Sequence, residues 1–267
     1  MRVMITVKAY PALSQRSGET VCVAGVRVDA EASSWVRLFP VGFRDLPRED
    51  QFKKYQLVEL RASRGTDQRP ESYRPNLSSL RVGEFIPSTD SWGARWSHLA
   101  RLAGATTSCR LLAEQDRLGS TAPSLGLIKP LVEDLTIERN PDFDKDRRRL
   151  AELLSGPDLF GVQKAPLEPA ALRLKYRYRC EGGGCAGHDQ STIDWEAGAA
   201  ARRWSAAGAS EQELPKLLRR KFLDDICGPA RDTYFFVGNM HRYPKNFLVL
   251  GAFWPPASSR PAPTLFG

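Results

Sequence analysis

Residues 171–188 read ALRLKYRYRCEGGGCAGH. Strict alternation through 171–179 predicts a strand, because residues i and i+2 share a face. Leu172, Leu174, Tyr176 and Tyr178 then project from one side, and Arg173, Lys175, Arg177 and Arg179 from the other. The strand runs directly into Cys180-x4-Cys185-x2-His188, which packs three metal-ligating side chains into nine residues. Three consecutive glycines between the cysteines let the backbone wrap tightly. A buried face, a charged face and a tight loop are thus dictated together within one short stretch.

A closed tetrahedral zinc site needs a fourth protein ligand. Cys227, at the end of a predicted helix, is the first choice, and His241, in a predicted hairpin loop, is the second. A site of Cys180, Cys185, His188 and Cys227 would tie strand, loop and helix together, and its role would be structural. Three ligands plus water would reopen the question of catalysis. The competing reading is packing cysteines beside a chance histidine. Cys22 and Cys109 have no such company and read as core residues.

Four cations on one strand face repel one another unless something anionic compensates. Acidic residues on neighbouring strands would do so, and so would the phosphates of a nucleic acid. From residue 171 onward there are 14 basic and 9 acidic residues, so this third of the chain holds most of the net charge of +8. His241, Arg242, Tyr243 and Lys245 follow on the hairpin loop, with Tyr243 the best base-stacking candidate. Arg173, Lys175, Arg177 and Arg179 with these four are the expected nucleic-acid contacts.

The fold expected around them is α+β. Segments 2–8, 20–29, 35–39, 55–61 and 81–86 alternate as short strands, which suggests a small barrel. Gly25 shifts the alternation and predicts a bulge, Pro40 should stop the third strand, and 62–76 reads as a loop. Helical periodicity covers 92–114 with a break near Gly104. Residues 125–139 read as strand interrupted by Pro130, and 144–154 as a helix. Helices follow over 192–204, with a capping box from Ser191 to Asp194, and over 211–226, with Ser210 and Glu213 as its cap. Strands 233–237 and 246–253 form a hairpin with a loop longer than two residues. The expected division is a β-barrel-like domain over 1–120, an α+β domain with the Cys/His cluster over 121–256, and a flexible tail over 257–267.

The longest apolar stretch, Phe247 to Trp254, is too short to span a bilayer, so no membrane role is expected. The opening MRVMITVKAYP lacks the pattern of a signal peptide. The five cysteines are therefore expected in a reducing cytoplasm. Walker A, G-x-S-x-G and H-E-x-x-H patterns are absent. Asp189, Asp194, Glu196, Asp224, Asp225 and Asp232 supply carboxylates for a metal-dependent nuclease, but nothing in their spacing makes them converge.

The stretches ETVCVAGVRVD (19–29), SWVRLFPVGFRDL (34–46), FKKYQLVELRA (52–62), YRYRCEGGGCAGHDQSTIDWE (176–196) and RDTYFFVGNMHRYPKNFLVLGAFWPP (231–256) are similar to an uncharacterised bacterial family with OB-like or PUA-like barrels. That family is associated with mobile elements and antiphage defence, and the resemblance implies nucleic-acid binding without catalytic residues. Three readings follow. The first is a DNA- or RNA-binding protein with structural zinc, in a defence system. The second is a nuclease using carboxylates near 189–196 and 224–232. The third is an assembly subunit whose basic strand meets an acidic protein.

Overall fold

Five strands of the N-terminal half close on themselves. In chain order the strands are β1 (Arg2–Lys8), β2 (Ala12–Ser14), β3 (Gly18–Arg27), β4 (Ser34–Val41), β5 (Gln56–Ser63) and β6 (Ser72–Phe85). Hydrogen bonding runs β1-β3-β4-β6-β5 and returns to β1, with β2 an extra edge beside β3. Every pairing in this barrel is antiparallel except β4 with β6. The computed structural model describes residues 1–10, 12–14, 18–154 and 168–259.

Alternation explains the closure. Val3 and Ile5 of β1, Val21 and Val23 of β3, Val36 and Leu38 of β4, and Val58 and Leu60 of β5 fill the barrel. The predicted irregularity at Gly25 is present as a register shift, but the extra residue lies opposite it on β1, between Ile5 and Val7. Gly25 itself serves close approach, since a Cβ there would sit 2.4 Å from the Met4 carbonyl oxygen. Two boundaries differ from expectation. β4 continues through Pro40 to Val41, because an X-Pro residue at a strand end loses only one donor. Much of the supposed loop 62–76 belongs to β5 and to the 14-residue β6. Arg74 and Asn76 are exposed, Glu71 and Ser72 are buried, and Tyr73 and the following Leu77 pack against the barrel core.

The rest of the chain is α+β. Helices α1 (Gly93–Leu99) and α2 (Ser108–Leu118) precede strands β7 (Leu125–Ile128) and β8 (Pro130–Arg139), and helix α3 (Phe143–Leu154) follows them. Then come β9 (Leu172–Cys180), β10 (His188–Ser191), α4 (Trp195–Ala206), α5 (Glu213–Arg219), β11 (Tyr234–Met240) and β12 (Tyr243–Phe253). Pro130 divides two strands that join different sheets, β8-β9-β10 and β7-β11-β12. A core of Tyr176, Tyr178, Leu218, Phe222, Phe235 and Val249 lies between these sheets and the helices.

Several local expectations are corrected here. The cap of α4 is Asp194, whose carboxylate accepts from Glu196 N at 3.0 Å, so the helix begins three residues later than the Ser191 box predicts. The Ser210–Glu213 box does form: Ser210 Oγ donates to Glu213 Oε2 at 2.8 Å and accepts from Glu213 N at 3.2 Å. After α5 the chain passes into a π-helical stretch, Arg220–Asp225. The hairpin loop is tighter than predicted, with Met240 paired to Tyr243 across a two-residue turn. The Asn239 amide closes it by donating to Pro244 O at 2.7 Å. Of the expected tail, Ala257–Ser259 forms a 3-10 turn, and 260–267 lie outside the described residues.

The two halves share one core. Met4, Val26, Tyr55 and Leu57 on the barrel's outer face pack with Trp92, Trp96, Leu127, Tyr234, Phe236 and Phe253. Arg37, one cation on an apolar strand, is buried in this seam. Its Nη2 donates to Ser124 O at 3.1 Å and Ser124 Oγ at 3.0 Å, and its Nη1 donates to Cys22 Sγ at 3.2 Å.

Candidate metal centre and candidate nucleic-acid interface

Cys180 ends β9 on the same face as Leu174, Tyr176 and Tyr178, so alternation itself buries it. The chain then turns through Gly182, Gly183 and Gly184, all at positive φ, and through Gly187 at φ +106°. A side chain is strained in that region, and the glycine run lets the loop fold back within a few residues. His188 consequently opens β10 directly opposite Tyr178. Helix α2 approaches from the other side, with Thr107 Oγ1 capping it by accepting from Arg110 N at 3.1 Å. Cys109 is the second residue of that helix.

Cys109, Cys180, Cys185 and His188 place their ligand atoms within 4.8 Å of one another. His188 Nε2 lies 3.3 Å from Cys109 Sγ and 3.4 Å from Cys180 Sγ, and those two sulfurs are 3.9 Å apart. Zinc bond lengths and a tetrahedral angle give edges of about 3.6 Å for S to N and about 3.8 Å for S to S. The Cys109–Cys180–His188 edges therefore match a tetrahedral site, and the four residues together can hold a metal ion. Burial, then the neighbouring thiols Cys185 and Cys180, push the Cys109 thiol up to about 12. Cys185 shifts the other way: burial opposes its ionisation, but backbone hydrogen bonds at Cys180 and Gly187 and the neighbouring thiols hold it below its usual range.

The supporting contacts are equally specific. Tyr178 OH meets Ser108 Oγ at 2.6 Å and donates to Gln190 Oε1 at 2.8 Å. One buried hydroxyl thus ties α2, β9 and β10 together beside the cluster. The Tyr178 and His188 rings lie 5.3 Å apart.

The fourth member differs from the expected one. Cys227 packs against the C-terminal core, its Sγ 3.6 Å from Phe222 O, at the end of the π-helical stretch. His241 sits at the hairpin turn, with Nδ1 3.5 Å from Asp67. Cys109, expected in the core, is exposed and joins the cluster instead. It comes from an element distant in sequence, so spacing could not reveal it. The one available signal was a cysteine at a helix start, where the helix dipole favours a thiolate.

The cations of β9 do share one face, as predicted, but acids surround them. Arg173 meets Asp142 at 2.7 Å, Arg177 meets Asp189 at 3.5 Å, and Arg179 meets Glu133 at 2.7 Å. Nearby, Arg219 pairs with Asp134 at 2.8 Å. Lys175 has no ion pair among the described residues. Exposed pairs of this kind contribute little to stability, yet they occupy the charges that a phosphate would need.

At the hairpin tip, Tyr243 and Met240 are exposed, and the Arg242 guanidinium lies 5.7 Å from the Tyr243 ring centre. Lys245 pairs with Asp116. The tip faces the β5–β6 loop across a cleft of about 210 Å³, lined by Thr66, Gln68, Arg69, Gln115, Ser120 and His241. Arg69 anchors the loop, donating to Asn239 Oδ1 at 3.1 Å and to Asp67 at 2.5 Å.

The carboxylates do not assemble. Asp189 faces Arg177, Asp194 caps α4, Glu196 meets Lys54 at 3.1 Å, Asp225 meets Lys221 at 3.7 Å, and Asp232 pairs with Lys129. Among the described residues the Cys/His cluster is the one group able to hold a metal. No described helix is long and apolar enough to cross a membrane.

The molecule is thus an α+β protein in which a closed five-stranded barrel is joined to a half carrying a Cys3His cluster. Residues 104–266 match the family model of a domain of unknown function, DUF8757, and the chain belongs to that family. Residues 1–101 match a second domain of unknown function, DUF8758. A search of curated proteins finds no match. A solved structure of a murine DNA-binding protein bound with double-stranded DNA is similar over 95% of this chain and 96% of that chain, at 9% identity and a TM-score of 0.31. At that score the likeness carries no argument.

Proposed function

We propose that the protein binds nucleic acid and that zinc, held by Cys109, Cys180, Cys185 and His188, is a structural part of its fold. The observation that carries the metal assignment is the set of 3.3, 3.4 and 3.9 Å separations among donors from three different elements. Four protein donors close a tetrahedral site and leave no position for a reacting water. Zinc here would pin the start of α2 to the β9–β10 turn, and its binding free energy would then be folding free energy. Free thiols throughout suit a reducing compartment such as the cytoplasm.

Nucleic-acid binding is supported by the barrel. Numbering only its five strands, the order is 1-2-3-5-4-1 with one parallel contact between 3 and 5. We read this closed barrel as the OB-like or PUA-like barrel of the family resemblance, and OB barrels often hold oligonucleotides. The net charge of +8 agrees in sign. We retain His241, Arg242, Tyr243 and Lys175 as contacts, because their side chains are exposed or free of strong pairing. Arg173, Arg177, Arg179 and Lys245 are committed first to carboxylates. With Cys109 ligating alongside Cys180, we place the division between the halves near residue 102. An association with defence complexes rests on the family resemblance alone.

Elemental analysis of the purified, tag-free chain tests the metal, with about one zinc expected per chain. A salt series of oligonucleotide binding tests the ligand, since affinity must fall as salt rises. Strand cleavage in Mg²⁺ or Mn²⁺ would overturn the non-enzymatic reading.

A further inference from the structure

The barrel carries a second cationic surface, apart from β9 and the hairpin tip. On β5, Val58 and Leu60 point into the barrel, so Arg61 and Ser63 point outward. On β6, Tyr73 and Leu77 face the core, and Arg74 and Asn76 are exposed. The register sets Arg61 opposite Asn76 and Ser63 opposite Arg74. On β4, Val36 and Leu38 point inward and Phe39 outward, half of its surface open to solvent. Leu38 pairs with Tyr73 in the parallel ladder, so Phe39 stands at the level of Arg74 on the next strand. Pro40, Arg61, Ser63, Arg74 and Asn76 line an open groove of about 670 Å³ over these strands.

Its charge is unlike that of β9. No carboxylate lines the groove, and neither Arg61 nor Arg74 has an ion pair among the described residues. Glu59, farther along β5, stands opposite Arg81. Arg61 and Arg74 are diagonal neighbours across an antiparallel ladder, roughly 7 Å apart at the backbone, the scale of successive phosphates on one strand. The loop joining β5 to β6 also contributes Thr66, Gln68 and Arg69 to the cleft facing His241, so both depressions share one β-hairpin.

We infer that this groove holds a single strand of nucleic acid, with phosphates on Arg61 and Arg74 and a base stacked on Phe39. The inference rests on the nucleic-acid reading above and names the surface and strandedness. An exposed ring on the barrel surface offers an unpaired base a stacking platform. The groove presents neither a helix nor a protruding ribbon to enter a duplex major groove.

The test is fluorescence anisotropy of the zinc-loaded full chain with a labelled ~16-nucleotide deoxythymidine strand, from ~50 to ~200 mM KCl. The double variant R61A/R74A should weaken binding at least ~10-fold. It should also flatten the slope of log K against log salt by about 1.4, two phosphates at ~0.7 each. R61K/R74K should keep the slope. F39A should weaken binding with the slope unchanged, since stacking releases no counterions. Unchanged zinc content and circular dichroism would show that each variant folds. Wild-type binding that survives R61A/R74A but falls in K175A/R242A overturns this groove and leaves the nucleic-acid reading standing. Tighter binding to the corresponding duplex overturns the single-strand assignment. No binding of either form by the wild type at ~50 mM salt overturns the reading itself.

Discussion

Cys109 Sγ lies 3.3 Å from His188 Nε2, although 79 residues separate the two. The contact joins the first turn of α2 to the first residue of β10, and Cys180 completes a triangle with both. It turns a loop cluster of three donors into a four-donor centre that spans three elements.

Removing Cys109 should therefore act like removing Cys180. Cys109→Ser and Cys180→Ser are each expected to lose the zinc found in the wild type. Each should lower Tm by about 10 °C, at roughly 2–4 °C per kcal/mol for a chain of this size. Cys227→Ser and His241→Ala should keep the metal. Elemental analysis and differential scanning fluorimetry read both outcomes, and metal loss in Cys227→Ser would refute the assignment.

Tyr178 supports the centre without touching the metal. Tyr178→Phe leaves Ser108 and Gln190 without their shared partner in a buried site. That should cost about 1–3 kcal/mol, read by urea denaturation. The zinc should remain at one per chain, but a competing chelator dye should show affinity lowered ~10-fold or more.

Asp194 sets a pH dependence at the seam between the halves. Burial pushes its carboxyl up to about 7, Lys54 opposing, with Glu196 adding to the rise and Lys8 also opposing. Unfolded, the same group titrates near 3.9. Between about 4 and about 7 the folded state holds the proton more tightly, so this group's contribution to stability falls as pH rises through that window. Asp194→Asn keeps an oxygen to cap α4 and removes the titration. Urea midpoints at ~pH 5 and ~pH 7.5 should differ less in the variant. An equal or larger difference would sink the argument.

Gly25 is required by space alone. A Cβ would sit 2.4 Å from Met4 O and 2.5 Å from Val3 Cγ1, whereas at Gly65 nothing lies within 4 Å. Gly25→Ala should lose about 1–3 kcal/mol or more through overpacking in the barrel wall. Gly65→Ala should be close to neutral. Equal thermal shifts in the two variants would contradict the close approach at β1.

The sequence by itself determined whatever depends on near neighbours in the chain. Alternation in Leu172–Cys180 set the buried and charged faces of β9, and three glycines in a row dictated a tight loop that brings Cys180, Cys185 and His188 together. The Ser210–Glu213 box and the valine-rich barrel strands were legible for the same reason: their periods and caps lie within a few residues. Tertiary structure decided the rest. Cys109 became a ligand only because α2 packs against β9, and Cys227 was passed over because its helix carries it into the apolar core. The charges of Arg173, Arg177 and Arg179 on β9 were paired by Asp142, Asp189 and Glu133, whose places beside them follow from sheet register and loop packing. Arg37 went into the seam, and Arg61 and Arg74 were left open, according to which barrel face the second half covers. Local order follows from backbone geometry and spacing, whereas partnership between distant side chains depends on how the surfaces of those local elements pack.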